Sequence, residues 1–303
     1  MGPMTRLCRT LVEGLRGDLM IDRISIDPLP SGRERLLTRV GVWVMIAVCF
    51  GWGWGLSTWL AIDILLGADG ESIAYGSTTL GRRLQTMLVF EIGPALVAAV
   101  ALVMLASGPG QVQLHPGRPS WRTTLKTVPV YCALVAGAMG ASRGLAHVLG
   151  APSLPRQQVE VDGPVAVVVR LVDTAMAGPA EELALMALVV VGLRRCGYRW
   201  WVVVLVAVVV RVPFHLYYGW GALALSLWAV GVVLLYRRTG ALLGIVAAHA
   251  IWNMFGAVGT PVAHVNVVLT ALGLVLVIAR LLEPVTSRKP GSAQSSGAGD
   301  YLP

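Results

Sequence analysis

Six polar residues stand inside three long apolar runs: Glu181 and Glu182 in one, Arg211 and His215 in the next, His249 and Asn253 two runs further on. Counted from the flanking arginine clusters at about 1.5 Å per residue, the glutamates, the histidines and Asn253 lie roughly 17 to 24 Å deep, one layer near the middle of a bilayer. Ionisable groups at that depth are expensive unless paired or hydrated, so each is a functional candidate. Neighbouring helix residues point about 100° apart, so at least one of the two glutamates needs a polar partner, and the histidines are the obvious ones. Arg211 and His215 are four residues apart, as are His249 and Asn253, which puts each pair on one helix face.

The chemistry open to such a set is hydrolysis of an amide. A carboxylate in a dry site beside a second carboxylate is suited to taking a proton from water as a general base. Histidine and an asparagine amide can donate to a carbonyl oxygen as it becomes an oxyanion. In an alternative form Glu181, His215 and His249 hold a divalent metal such as zinc with one position open. No serine or cysteine stands beside a histidine in this layer at a recognisable spacing, which makes a covalent nucleophile the weaker reading. Gly178-Pro179 immediately precedes the glutamates. Proline removes one helical hydrogen bond, so a kink is expected there, freeing the carbonyl near Ala175.

These residues need a membrane-spanning scaffold. The chain has 303 residues, 56% of them apolar and 13% charged, with a mean hydropathy of +0.72, against about 25% charge in an ordinary soluble domain. A water-soluble globular protein is excluded. Apolar runs at 40–66, 84–106, 127–149, 164–193, 200–217, 222–236, 241–258 and 265–282 can each cross a bilayer. The expectation is therefore an all-α integral membrane protein of about eight transmembrane helices.

Arg33, Arg35 and Arg39, then Arg118, Arg122 and Lys126, then Arg194, Arg195 and Arg199, then Arg237 and Arg238, and finally Arg288 and Lys289 fall on alternate sides of successive spans. By the positive-inside rule that side is cytoplasmic, together with both termini, of a multi-pass protein of the cell membrane. The net charge of +8 then reads as topology, and no nucleic-acid partner is expected. The chain divides into an Arg-rich cytoplasmic segment (1–39), three N-terminal spans (40–163), a four-helix core (164–258), a last span (259–285) and a disordered cytoplasmic tail rich in Ser, Gly and Ala (286–303). An amphipathic surface helix is expected around 11–19.

Other conspicuous residues have plainer readings. Glu91, Arg143, Arg170 and Asp173 lie in the outer third of their spans, balance to zero charge and read as a structural ion network. His115 and His147 read as solvated, and His264 as interfacial. Trp52, Trp54, Trp59, Trp200, Trp201, Tyr217, Tyr218 and Trp220 read as interfacial anchors or packing. Cys49 and Cys132 fall in apolar runs and Cys8 and Cys196 among arginines, with no CxxC spacing, so neither a disulfide framework nor a cysteine zinc site is expected.

The order EE, then a histidine four residues after an arginine in the next span, then HxxxN two spans on, resembles the CPBP family of intramembrane proteases. That family groups type II CAAX prenyl endopeptidases with bacteriocin-processing and Abi-like immunity proteins. The resemblance covers roughly 165–258, a catalytic core of four helices. The family motifs are EExxxR, FxxxH and HxxxN or HxxxD. Here they read Glu181-Glu182-Leu183-Ala184-Leu185-Met186, Arg211-Val212-Pro213-Phe214-His215 and His249-Ala250-Ile251-Trp252-Asn253.

The resemblance implies an endopeptidase acting on a membrane-associated protein or peptide, with Glu181 as the water-activating base and Glu182 as its partner. His215, His249 and Asn253 would orient the water or stabilise the oxyanion. Both a metalloprotease and a metal-free, glutamate-dependent mechanism are described for the family. With only glutamate and histidine to serve as ligands, no cofactor is the expectation. The chain departs from the motifs twice: Met186 stands in the place of the arginine, and Arg211 in that of the phenylalanine. Arg211, one turn before His215, is expected to supply the cation that Met186 lacks.

Two other classes compete. In a proton-coupled transporter the glutamates and histidines would relay protons, but inverted repeats and paired broken helices should accompany them, and the chain has one Gly-Pro break and no repeat. A non-proteolytic immunity or scaffold protein would bind a membrane partner without turnover, a reading that the missing motif arginine favours. The excess of arginine over lysine, with Lys126 and Lys289 the sole lysines, points to a GC-rich bacterial genome, where prenylated substrates are few.

Overall fold

The structure, a computed structural model, describes residues 24–26, 28–29, 32–66, 80–107, 112–114, 120–149, 164–258 and 260–281. The surface helix expected around 11–19, the tail from 286, Cys8 and His115 lie outside them. Helix α1 is Arg33–Leu65. Helix α2 starts as Leu80–Met87 and continues through a π-helical turn, Leu88–Ile92, into Gly93–Ser107. Helix α3 is Trp121–Leu149. Helix α4 begins as Pro164–Ala184 and passes through π-helical Leu185–Gly192 to Leu193–Arg195. Helix α5 is Trp200–Arg211, and a 3-10 run, Pro213–Leu225, leads into α6, Ser226–Thr239. Helices α7, Leu242–Val258, and α8, Thr260–Leu281, follow.

Among the described residues five segments are long and apolar enough to cross a membrane, and Trp200–Arg211, Leu242–Met254 and Val265–Ile278 are shorter apolar helices. The chain is an all-α membrane protein, as its composition requires. One small element is additional: β1 (Ile24–Ile26) pairs antiparallel with β2 (Val112–Leu114), Ile24 opposite Leu114. Strands of three residues are too short to carry a readable alternation.

Helix α4 forms the centre. Its stretch from Leu185 to Leu193 is buried throughout, as befits a helix that is apolar on every face. Helix α7 lies against α4 and α3, the 3-10 run against α3 and α1, and α8 against α3. Large apolar side chains of the outer helices, such as Leu56 and Trp59 on α1, Val100 and Met104 on α2 and Val267 on α8, are exposed, which fits them to acyl chains.

The arginine clusters of three junctions meet at one end of the bundle. Arg39 donates from Nε to the carbonyl of Cys196 at 3.0 Å, and its guanidinium stands over the Tyr198 ring. Arg194 and Arg237 both reach over Trp200, 4.9 and 4.8 Å from the ring centroid. The chain ahead of α1 joins them, Leu29 N donating to Arg195 O at 2.9 Å while Arg35 holds the carbonyl of Leu29.

Two local features differ from the expectations. The fifth run is helical only to Arg211. Pro213 follows, the backbone tightens into the 3-10 run, and Gly219 (φ 65°, ψ −156°) breaks that run in a conformation that favours glycine. An apolar run without periodicity cannot distinguish a 3-10 turn from an α-turn.

The second difference is at Gly178-Pro179. Helix α4 stays α-helical through Pro179 to Ala184, and its π-helical stretch lies beyond the glutamates. Gly178 serves close approach instead: a Cβ there would stand 2.7 Å from Ala250 N and 3.0 Å from the Cβ of His249. Gly178→Ala is therefore expected to push α7 off α4 and to destabilise the fold by about 1–3 kcal/mol, as overpacking does. A lowered thermal unfolding midpoint in detergent, with a fall in any activity that uses His249, is the measurement.

Candidate active site

The site assembles around one oxygen atom. Glu182, fully buried on α4, accepts at Oε1 from three donors. These are the hydroxyl of Tyr131 on α3 at 2.6 Å, Nη2 of Arg211 at the end of α5 at 2.7 Å, and Nδ1 of His249 on α7 at 3.0 Å. Charge-assisted bonds of this length are the strong ones, and their convergence ties three helices to the fourth. Glu181, turned away by its place on the helix, receives one long contact, 3.4 Å from the same Nη2, and its side chain is 12% exposed. The two neighbours thus differ sharply: one carboxylate is clamped, the other is nearly unoccupied and open.

Arg211 is 1% exposed, and its guanidinium lies 3.6 Å from the centroid of the Trp228 ring on α6, a desolvated cation–π contact. His215, buried on the 3-10 run, touches neither glutamate through a hydrogen bond. Its Nδ1 donates to the carbonyl of Arg211 at 2.9 Å. The reason is local: the His215 amide bonds to Val212 O in the tightened turn, and the imidazole takes up the carbonyl that this leaves open at the helix end. A carbonyl can only accept, so in the neutral ring Nδ1 carries the hydrogen and the lone pair is on Nε2. Both imidazoles stand edge-on to Trp228, His215 at 5.4 Å and His249 at 5.1 Å between centroids. Trp228 is the common wall of the layer.

Of the residues singled out from the sequence, Glu181, Glu182, Arg211 and His249 are joined by hydrogen bonds, and His215 is joined to them through Arg211. Asn253 is half-buried one turn beyond His249. The preceding carbonyl, of Trp252, accepts from Nδ2 of Asn266 on α8 at 3.1 Å. Met186 is fully buried in the π-helical stretch of α4. Of the outer set, Arg143 is exposed on α3 and the Arg170 side chain lies outside the described residues.

Sequence reasoning missed Tyr131 and Trp228. A tyrosine in mid-span has a hydroxyl that must find a partner in a dry interior, and that was the available signal. Of the aromatic residues read as interfacial anchors or packing, Trp54, Tyr217 and Tyr218 pack beside the site. Trp54 stacks on Phe214 at 5.2 Å, and the rings of Tyr217 and Tyr218 lie 5.7 and 6.2 Å from His215.

Four buried polar atoms of the layer, Glu182 Oε2, Arg211 Nε and Nη1, and Trp228 Nε1, have no hydrogen-bond partner among the described residues. Natural interiors rarely leave such atoms unpaired, and water or the polar groups of a bound molecule would satisfy them. Among the described residues no three His, Cys, Asp or Glu side chains are grouped so as to hold a metal ion. The proposed trio of Glu181, His215 and His249 is thus not gathered as a ligand set.

Residues 163–255, that is 93 of the 303, match the family described as Type II CAAX prenyl endopeptidase Rce1-like. No curated protein and no solved structure matches the chain. The matched segment contains the two glutamates, Arg211, both histidines and Asn253, whereas Tyr131 and Asn266 lie outside it. Over this segment the chain is similar to the Rce1-like type II CAAX prenyl endopeptidases, a match that supports the place in the CPBP family suggested by its motifs.

Proposed function

We propose that the protein hydrolyses peptide bonds of a membrane-associated protein or peptide with a water molecule activated by Glu181. The observation that carries this is the inequality of the two carboxylates: Glu182 Oε1 is saturated by three donors, while Glu181 keeps a single 3.4 Å contact and some exposure. Glu181 is the member free to take a proton. In the reaction it removes one from water as the oxygen attacks the scissile carbonyl carbon, and charge develops on the carbonyl oxygen. The amide of Asn253 and the imidazoles, whose Nδ1 atoms are already engaged, orient the water and face the developing oxyanion. Collapse breaks the C–N bond, and Glu181 returns the proton to the leaving nitrogen.

Arg211 fills the role of the motif arginine from a different helix. It neutralises Glu182 at 2.7 Å and reaches Glu181 at 3.4 Å, so the charge balance of the layer does not depend on residue 186. We assign the reaction no metal, because Glu181, His215 and His249 do not converge on one point. The protein lies in the cell membrane with its arginine-rich end in the cytoplasm.

The test is incubation of purified protein, in detergent or liposomes, with candidate membrane-associated peptides, wild type against Glu181→Ala and with and without a chelator. Cleavage by the wild type that disappears in the variant and withstands chelation is expected. Cleavage that survives Glu181→Ala eliminates the base, and loss on chelation restored by zinc overturns the metal-free reading. Proton-dependent uptake by liposomes without cleavage would make the protein a transporter.

A further inference from the structure

We infer that Tyr131 is a positioning residue of this active site, acting on the reaction through Glu182. The inference rests on the hydrolytic reading above and extends it to a helix that the family match does not include. Tyr131 is fully buried at mid-span on α3, and its hydroxyl donates to Glu182 Oε1 at 2.6 Å. A carboxylate oxygen in that position only accepts, so the direction of the bond is fixed. The same ring lies against the imidazole of His249, 5.8 Å between centroids and 35° from parallel, and stands edge-on to Trp228 at 6.2 Å.

One side chain therefore sets two things. It holds Oε1 where Arg211 and His249 also reach it, and it supports one ring face of His249, whose orientation is otherwise set by the bond from Nδ1 to that oxygen and the edge contact with Trp228. With the hydroxyl gone, Oε1 keeps two donors and the carboxylate gains freedom to rotate about its last torsion. Because Glu182 Oε2 has no hydrogen-bond partner among the described residues, no bond on the other side of the carboxylate opposes that rotation. Arg211 and His249 follow the oxygen they are bonded to, and the Nε2 atom of His249 moves with its ring. Substrate binding does not involve Tyr131, so the effect falls on the chemical step.

Tyr131→Phe removes the hydroxyl and keeps the ring contacts. Its kcat is expected to fall on the order of ten- to a hundred-fold with KM nearly unchanged, and its thermal unfolding midpoint to fall less than that of Glu182→Gln, since one bond of the three is lost. In a Glu182→Gln background the same substitution should change kcat hardly at all, because the two act as a unit. A structural role alone would lower the midpoint while leaving kcat of the folded protein intact, or give losses additive with those of Glu182→Gln. Should the phenylalanine variant not fold, Tyr131→His keeps a ring and a donor: retained activity supports the inference, and lost activity with a wild-type unfolding transition overturns it. Wild-type cleavage with kcat intact in Tyr131→Phe, or additive losses with Glu182→Gln, overturns the positioning role alone. Absence of cleavage by the wild type overturns the hydrolytic reading and the positioning role with it.

Discussion

Replacing Arg211 with leucine is expected to abolish cleavage and to weaken the fold. Arg211 is the sole guanidinium bonded to the two glutamates among the described residues, at 2.7 and 3.4 Å. Removing one partner of a buried ion pair leaves the other charge uncompensated, a loss of about 3–5 kcal/mol. The cation–π contact with Trp228 at 3.6 Å disappears as well. Arg211→Lys, a point charge on a flexible stem, cannot reproduce a planar fork stacked on an indole and should restore only part of the activity.

The decisive variant is the double substitution Met186→Arg with Arg211→Phe, which recreates both family motifs. Residue 186 is four positions after Glu182 and so on the same helix face. A phenylalanine at 211 would retain the ring packing over Trp228. The double variant is expected to recover a measurable rate that Arg211→Phe alone lacks. Full activity of Arg211→Leu would show that the cation is dispensable.

A second large effect separates the adjacent glutamates. Glu181→Gln keeps size and shape but removes the base, so kcat should drop by about 10²–10⁴-fold, with little change in unfolding because that side chain has one long contact. Glu182→Gln should behave otherwise: it weakens three charge-assisted bonds at once, and the midpoint of unfolding should fall along with the rate. Measuring both quantities for both variants is the check. Equal stability losses at the two positions, or a Glu181→Gln protein that cleaves at the wild-type rate, would contradict the assignment.

Much of this was legible from residue types alone. Charged and imidazole side chains in lipid are rare enough that Glu181, Glu182, Arg211, His215 and His249 stood out, and counting along helices put them at one depth. The substitute cation was legible too, since Arg211 precedes His215 by one turn. Tyr131 and Trp228 were not: the Tyr131 hydroxyl signals that it needs a partner, but an aromatic residue in an apolar run carries no signal of which way it faces or what it meets. The same holds for the backbone: Leu185–Gly192 is apolar throughout and Pro213–Leu225 is apolar but for His215 and two tyrosines, too few polar residues to give a period from which to tell 3-10, π and α apart. Gly178 was misread for a physical reason as well. A glycine beside a proline suggests a bend, whereas here the missing side chain admits the neighbouring backbone of α7.

The clasp between the start of α1 and the α4–α5 junction has a temporal consequence. Arg39 finds its carbonyl acceptor on Cys196, 157 residues later in the chain. At roughly 5–20 residues per second of synthesis, the first span waits on the order of ten seconds in the bilayer before the ribosome delivers the acceptor. During that interval Arg39 has only lipid phosphates and water to bond, while Arg35 already has the carbonyl of Leu29. A chain arrested between the two elements would carry that helix unclasped, an early-made element that locks only when a later one arrives.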